Sequence, residues 1–242
     1  MRLDAHHSFS ARYPLASLDT ILRRNRFDGS ILVAGTDVEP AALRTLPAFV
    51  RGVVIEAEQL DPLLLEEYLR DGRFLGLCWR PASPTAALPG YLGDLARRNL
   101  SLDVRDGLSF VPRIAERFPS LRIAIVHLGS PAIDGAGGEQ AAWKSALETS
   151  AQFPQVCCKL SGLIGLAPSP WSAQALRPFV LHALGAFEPE RLMFGSGWPD
   201  CLPAHTWKET LAAFTQSIGA RPVEVREQLL GGTAARFYGI AP

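Results

Sequence analysis

Short runs of β-branched and aliphatic residues alternate with longer helical patterns along the whole chain, as expected of a parallel sheet joined by crossover helices. Eight such runs can be marked, at 2–9, 30–34, 52–57, 74–80, 100–105, 122–127, 156–161 and 191–196. Gly52-Val53-Val54-Ile55 and Ile123-Ala124-Ile125-Val126 carry no polar side chain, the pattern of strands covered on both faces. Asp61-Pro62 ahead of Leu63-Leu64-Leu65 supplies an N-cap and a first-turn proline, and Gly72 closes that helix. The regular spacing predicts one closed (β/α)₈ TIM barrel filling residues 1–242, with an open doubly wound sheet as the alternative. The segment between the first and second runs is expected to be shortened or irregular. The glycine-rich stretch 132–138 reads as a loop after the sixth strand, not as a domain boundary.

Composition narrows the chemistry. A chain of 242 residues suits one α/β barrel, a fold that commonly needs about 250. The 24 basic and 24 acidic side chains cancel, so no net field favours a nucleic acid or an anionic membrane. Cys78, Cys157, Cys158 and Cys201 show no CxxC spacing, which argues against a disulfide framework or a zinc knuckle and for a reducing compartment. No apolar leader precedes Met1-Arg2-Leu3-Asp4, and no run approaches the ~20 apolar residues of a membrane span, so the chain is read as cytoplasmic. His6-His7-Ser8-Phe9 follows the first strand where a nucleotide-binding fold would place GxGxxG or a P-loop.

In a barrel the reactive side chains sit at the carboxyl ends of the strands. Those ends read Asp4-Ala5-His6-His7-Ser8-Phe9, His127-Leu128-Gly129-Ser130-Pro131, Lys159-Leu160-Ser161-Gly162-Leu163 and Phe194-Gly195-Ser196-Gly197-Trp198-Pro199. With the closing Gly232-Thr233-Ala234-Ala235-Arg236-Phe237-Tyr238-Gly239, these segments resemble the amidohydrolase-related family that includes sugar-lactone and pyrone-dicarboxylate lactone hydrolases. The resemblance is strongest from Leu100 to Gly239 and weaker from Phe9 to Leu75. It implies His-x-His on the first strand, a further histidine on the sixth, and Gly-Ser-Asp-Trp-Pro after the eighth. These map onto His6, Ser8, His127 and Gly197. Alternate strand residues aim two imidazoles at one ion, while an aspartate opposite binds the metal and takes a proton from water. Here only His6 and His127 remain, and a catalytic zinc usually takes about three protein ligands. No tightly bound cofactor is expected, at most a weakly held divalent metal such as zinc.

The remaining candidates follow from position. Asp200 is the nearest carboxylate able to replace the missing base, although a loop aspartate capping the next helix fits the sequence equally well. His7 lies on the other face of an ideal strand and reaches inward only through a bulge. Lys159, on an apolar strand, must either reach the mouth or pair with a carboxylate, and Asp103 is its most attractive partner, with Arg105 two residues further on. Arg80 could clamp an anionic group and Trp198 line the mouth, while His182 and His205 are placed on outer helices. Phe237 and Tyr238 are expected to pack the last helix on the barrel. Two functions stand open: hydrolysis of a small lactone or related cyclic ester, anionic or polyhydroxylated, with His127 or Asp200 activating water and Lys159 or Arg80 facing the oxyanion; or a silent barrel binding a small metabolite or a partner.

Overall fold

The computed structural model describes residues 1–10, 12–133, 137–167, 170–202 and 205–241. Eight parallel strands run in sequence order: β1 (Leu3–Ser8), β2 (Gly29–Gly35), β3 (Val50–Glu56), β4 (Phe74–Trp79), β5 (Ser101–Val104), β6 (Arg122–Ile125), β7 (Val156–Leu160) and β8 (Leu192–Phe194). The helices are α1 (Leu15–Arg24), α2 (Pro62–Tyr68), α3 (Leu92–Arg97), α4 (Val111–Arg117), α5 (Gly137–Ala151), α6 (Leu163–Leu166), α7 (Ala173–Phe187), α8 (Trp207–Ile218), α9 (Val223–Glu227) and α10 (Thr233–Tyr238). The sheet closes on itself just beyond β8. Gly197 N donates to His6 O at 2.9 Å, Ser8 N donates to Trp198 O at 2.6 Å, and His7 and Trp198 form a parallel bridge. The open-sheet alternative is thereby set aside, and the residues that shut the barrel are those of the suspected site.

Strand alternation sorts the apolar side chains into two layers. Leu3, Ala5, Ile31, Val33, Val54, Cys78, Ala124, Cys157 and Met193 fill the interior, and Ala234, Phe237 and Tyr238 of α10 plug its floor. Leu32, Val53, Ile55, Leu77, Leu102, Val104, Ile123 and Ile125 face the helices instead. Local rules hold at the helix ends. Asp61 accepts from Leu63 N at 2.8 Å with Pro62 in the first turn, and α8 opens on a reciprocal capping box between Thr206 and Glu209.

Three expectations shift. The irregular crossover lies between β2 and β3, where a short 3₁₀ turn, Pro40–Thr45, stands in for a helix, whereas β1 and β2 are joined by the regular α1. The loop expected across 132–138 gives way to α5 at Gly137, with 134–136 outside the described residues. His205 precedes α8 and does not lie on a helix. Among the described residues, no helix is long and apolar enough to cross a membrane.

Candidate active site

The carboxyl ends of the strands enclose a cavity of ≈ 330 Å³ whose lining includes Arg105, Asp106, His127, Ser130, Gly197 and Asp200. A second, more open cavity of ≈ 410 Å³ adjoins it, lined by Ser8, Phe9, Thr36, Asp37 and Glu56. Arg105 borders both.

His127 is brought to the wall by an unusual backbone. His127, Leu128, Gly129 and Ser130 all have positive φ, so the chain turns left-handed immediately after β6. Non-glycine residues enter this region at a cost that surrounding structure must offset. Here Trp143 Nε1 donates to Leu128 O at 2.8 Å, and Ser161 Oγ accepts from His127 N at 3.2 Å. The same hydroxyl lies 2.9 Å from His127 Nδ1, which leaves Nε2 as the ring's open nitrogen. Gly162 permits this approach: a Cβ there would sit 2.7 Å from His127 Nδ1.

His6 stands behind His127 and is not a wall residue. It is buried, its ring centroid is 4.6 Å from that of His127, and neither ring nitrogen has a protein partner. The β1–β2 register shifts between Asp4 and His7, so the bulge is present, but it does not bring His7 beside His127. His7 pairs in register with Leu32 of the outer layer, and its ring lies 6.3 Å from that of Trp198. Asp4 pins this segment: it accepts from Ser196 N at 2.8 Å and from Trp207 Nε1 at 3.1 Å, tying β1 to the end of β8 and to α8.

The other candidates separate by depth. Lys159 does not reach the mouth. Its ammonium is fully buried 2.6 Å from Asp103 Oδ2, and the Tyr238 hydroxyl donates to the same carboxylate at 2.9 Å, so both Lys159 and Asp103 are consumed inside the barrel. The packing expected of Tyr238 therefore includes a polar bond to the barrel interior. Trp198 is wholly buried in the outer layer near His7 and Tyr13, and lines neither cavity. Arg80 is engaged with Asp106 at 2.9 Å, outside the residues that line either cavity. Arg105 does reach the mouth, held at 3.1 Å by Glu56. Asp200 lines the smaller cavity and lies 3.5 Å from Ser8 Oγ. His182 stays on α7, 3.3 Å from Glu148. Sequence reasoning passed over Glu56, Asp106 and Ser161. Glu56 and Ser161 could have been found as polar residues ending otherwise apolar runs.

Burial fixes the charge state of the histidines. Want of solvent, followed by the nearby positive charges, holds His127 at about 4; burial holds His7 at about 3; and His6 is pushed well below the ordinary range by burial and by His127. The unfolded chain, with ordinary imidazoles near 6.5, takes up protons first as the pH falls. Stability is therefore full above about pH 6.5 and is lost progressively toward pH 4. For His7 and His127 the loss is about 2 kcal/mol each between pH 7 and pH 5. Asp4 works in the opposite sense, since burial raises its carboxyl above the ordinary carboxylate value. Urea unfolding at pH 7 and pH 5 should show the histidine loss prevailing. Equal stability at the two values would contradict the buried neutral imidazoles.

The sequence profile of the amidohydrolase family matches residues 107–240, more than half of the chain. The chain belongs to the amidohydrolase family. Protein y4mH of Sinorhizobium fredii is 33% identical over 213 residues, covering 79% of this chain and 71% of the relative. An L-fucono-1,5-lactonase of Burkholderia ambifaria is 28% identical over 286 residues, covering 99% and 96% of the two chains. Among solved structures, an amidohydrolase of Burkholderia multivorans with bound zinc superposes with a TM-score of 0.84 at 26% identity, over 100% of both chains.

The residues here do not fit a zinc held in the usual way. His6 offers two free buried nitrogens and His127 one, but among the described residues no group of three His, Cys, Asp or Glu side chains could hold a metal. Ser8 presents a hydroxyl, and Gly197 nothing. Gly197 has a φ of +66°, and a Cβ there would meet only Gly162, at 3.7 Å, so the position where the resemblance implies an aspartate supplies no donor of its own.

Proposed function

We propose that this amidohydrolase opens a small, uncharged, polyhydroxylated lactone by direct attack of water at the barrel mouth. The observation that carries the reading is that Asp200, His127 and Arg105, a carboxylate, a neutral imidazole and a guanidinium, line one cavity at the carboxyl ends of the strands. The full-length likeness to an L-fucono-1,5-lactonase supports a cyclic ester as the substrate. In this assignment the Asp200 carboxylate takes a proton from water as its oxygen attacks the carbonyl carbon. His127 Nε2 and Arg105 face the developing oxyanion, which collapses with breakage of the ring C–O bond as Asp200 returns the proton to the leaving oxygen, giving a hydroxy acid. A dicarboxylate is disfavoured, because the cavity wall offers Arg105, shared with Glu56, against the carboxylates of Asp106 and Asp200.

A second reading, a barrel that binds a metabolite without turning it over, is favoured by Gly197 and Ser8 at positions where the family resemblance implies ligands. A panel of aldono-1,5-lactones and a pyrone dicarboxylate, followed by proton release in weak buffer, separates the two. The lactonase reading expects turnover of neutral sugar lactones, diminished in His127→Ala. Binding of a sugar lactone without proton release above the spontaneous rate would give the silent barrel the better case.

A further inference from the structure

The opposite end of the barrel holds a cavity that hydrolysis at the mouth does not use. It measures ≈ 470 Å³, and Arg122 at the start of β6, Arg191 just before β8 and Arg236 on α10 line it with Cys157, Pro154 and Phe237. Among the described residues none of these three arginines forms an ion pair, and the one carboxylate on the lining, Glu190, pairs with none of them.

Neutral oxygens hold them instead, main-chain carbonyls throughout and, at Arg236, also the Gln228 side-chain carbonyl. Arg191 Nη1 donates to the oxygens of Ala151, Phe153 and Val156 at 2.9, 3.2 and 3.3 Å. Arg122 donates to Phe237 O and Asn99 O, and Arg236 to Glu190 O. Carbonyl dipoles orient a guanidinium without neutralising it. Each guanidinium has five N–H donors, and some here are unspent: Arg191 uses only Nη1. Two half-buried cations, Arg122 and Arg191, and the exposed Arg236, oriented by carbonyls and without a counter-ion, form the arrangement that oxyanions complete by charge-assisted, two-pronged contacts. The walls beside them are apolar, from Pro154, Phe237 and the Cys157 thiol.

We propose that this floor cavity binds a small organic oxyanion, a phosphoryl or carboxylate group carried on an apolar body. The site is independent of the reaction assigned to the mouth. Cysteine positions supply a site-resolved test on the full chain. Cys78 and Cys158 are wholly buried, Cys157 borders the floor cavity and Cys201 the mouth. Phenyl phosphate, benzoate and inorganic phosphate are titrated by calorimetry, with labelling by a small methanethiosulfonate at alkaline pH quantified at each cysteine. Phenyl phosphate or benzoate should slow labelling of Cys157 and leave Cys201 unchanged, and whichever binds more tightly identifies the oxyanion. Arg236→Gln, at an exposed position, should weaken binding roughly ten- to hundredfold. The protection of Cys157 in the unaltered protein stands even if that variant folds poorly. No heat and no protection at millimolar ligand, or protection of Cys201 in place of Cys157, would overturn the proposal. So would inorganic phosphate binding that is the same in Arg236→Gln, which marks an adventitious ion only.

Discussion

Asp200→Asn is expected to lower kcat/KM for lactone opening by about 10²–10⁴-fold, the usual cost of losing a general base. The amide has nearly the same shape and can still accept from Ser8 Oγ, so the cavity wall is kept while the proton acceptor is removed. Asp200 is exposed, and the substitution should leave thermal unfolding almost unchanged. The loss should fall on kcat and kcat/KM together, with little change in KM, as for an interaction made in the transition state alone. A variant as fast as the parent would move the base to His127 and remove Asp200 from the mechanism.

Lys159→Met should be the most damaging single substitution for stability. It leaves Asp103 fully buried with only Tyr238 as a donor, and breaking a buried pair from one side costs about 3–5 kcal/mol. In a chain of this size each kcal/mol moves the midpoint by roughly 2–4 °C, so a fall of about 6–20 °C is expected in thermal unfolding. Lys159→Met combined with Asp103→Leu should recover much of the loss, because the uncompensated charge is gone. A Lys159→Met protein as stable as the parent, but with weakened substrate binding, would restore the mouth-facing role that the sequence alone allows.

The eight strands were legible because a buried parallel sheet leaves continuous apolar runs, and six of the eight observed strands fall inside their marked runs. The site was legible only in part, for reasons of depth and of backbone conformation. Periodicity tells that Lys159 faces the barrel interior but not how far below the rim it lies. One strand position higher an ammonium meets water; where it stands, it must find Asp103. Trp198 follows the eighth strand, as lining residues do, yet its backbone is used in closure beside His7, and its indole packs in the outer layer. His127 and Asp200 were recognisable by type and position. Ser161 and Glu56, which hold His127 and Arg105, act across strands that are distant in sequence, and no local pattern announces such contacts. The left-handed turn at His127–Ser130 has one glycine among four residues and gives little warning. The arginines of the floor are scattered over 115 residues and meet only in the closed barrel.

Lactone opening at this mouth by its own side chains, without a family-type zinc, has a direct consequence for metal dependence. It is tested most directly by measuring zinc per chain and lactone turnover on the same preparation, before and after exhaustive chelation. Zinc far below one per chain and an unchanged rate after chelation are expected. About one zinc per chain, with turnover lost on its removal and restored on its return, would contradict it.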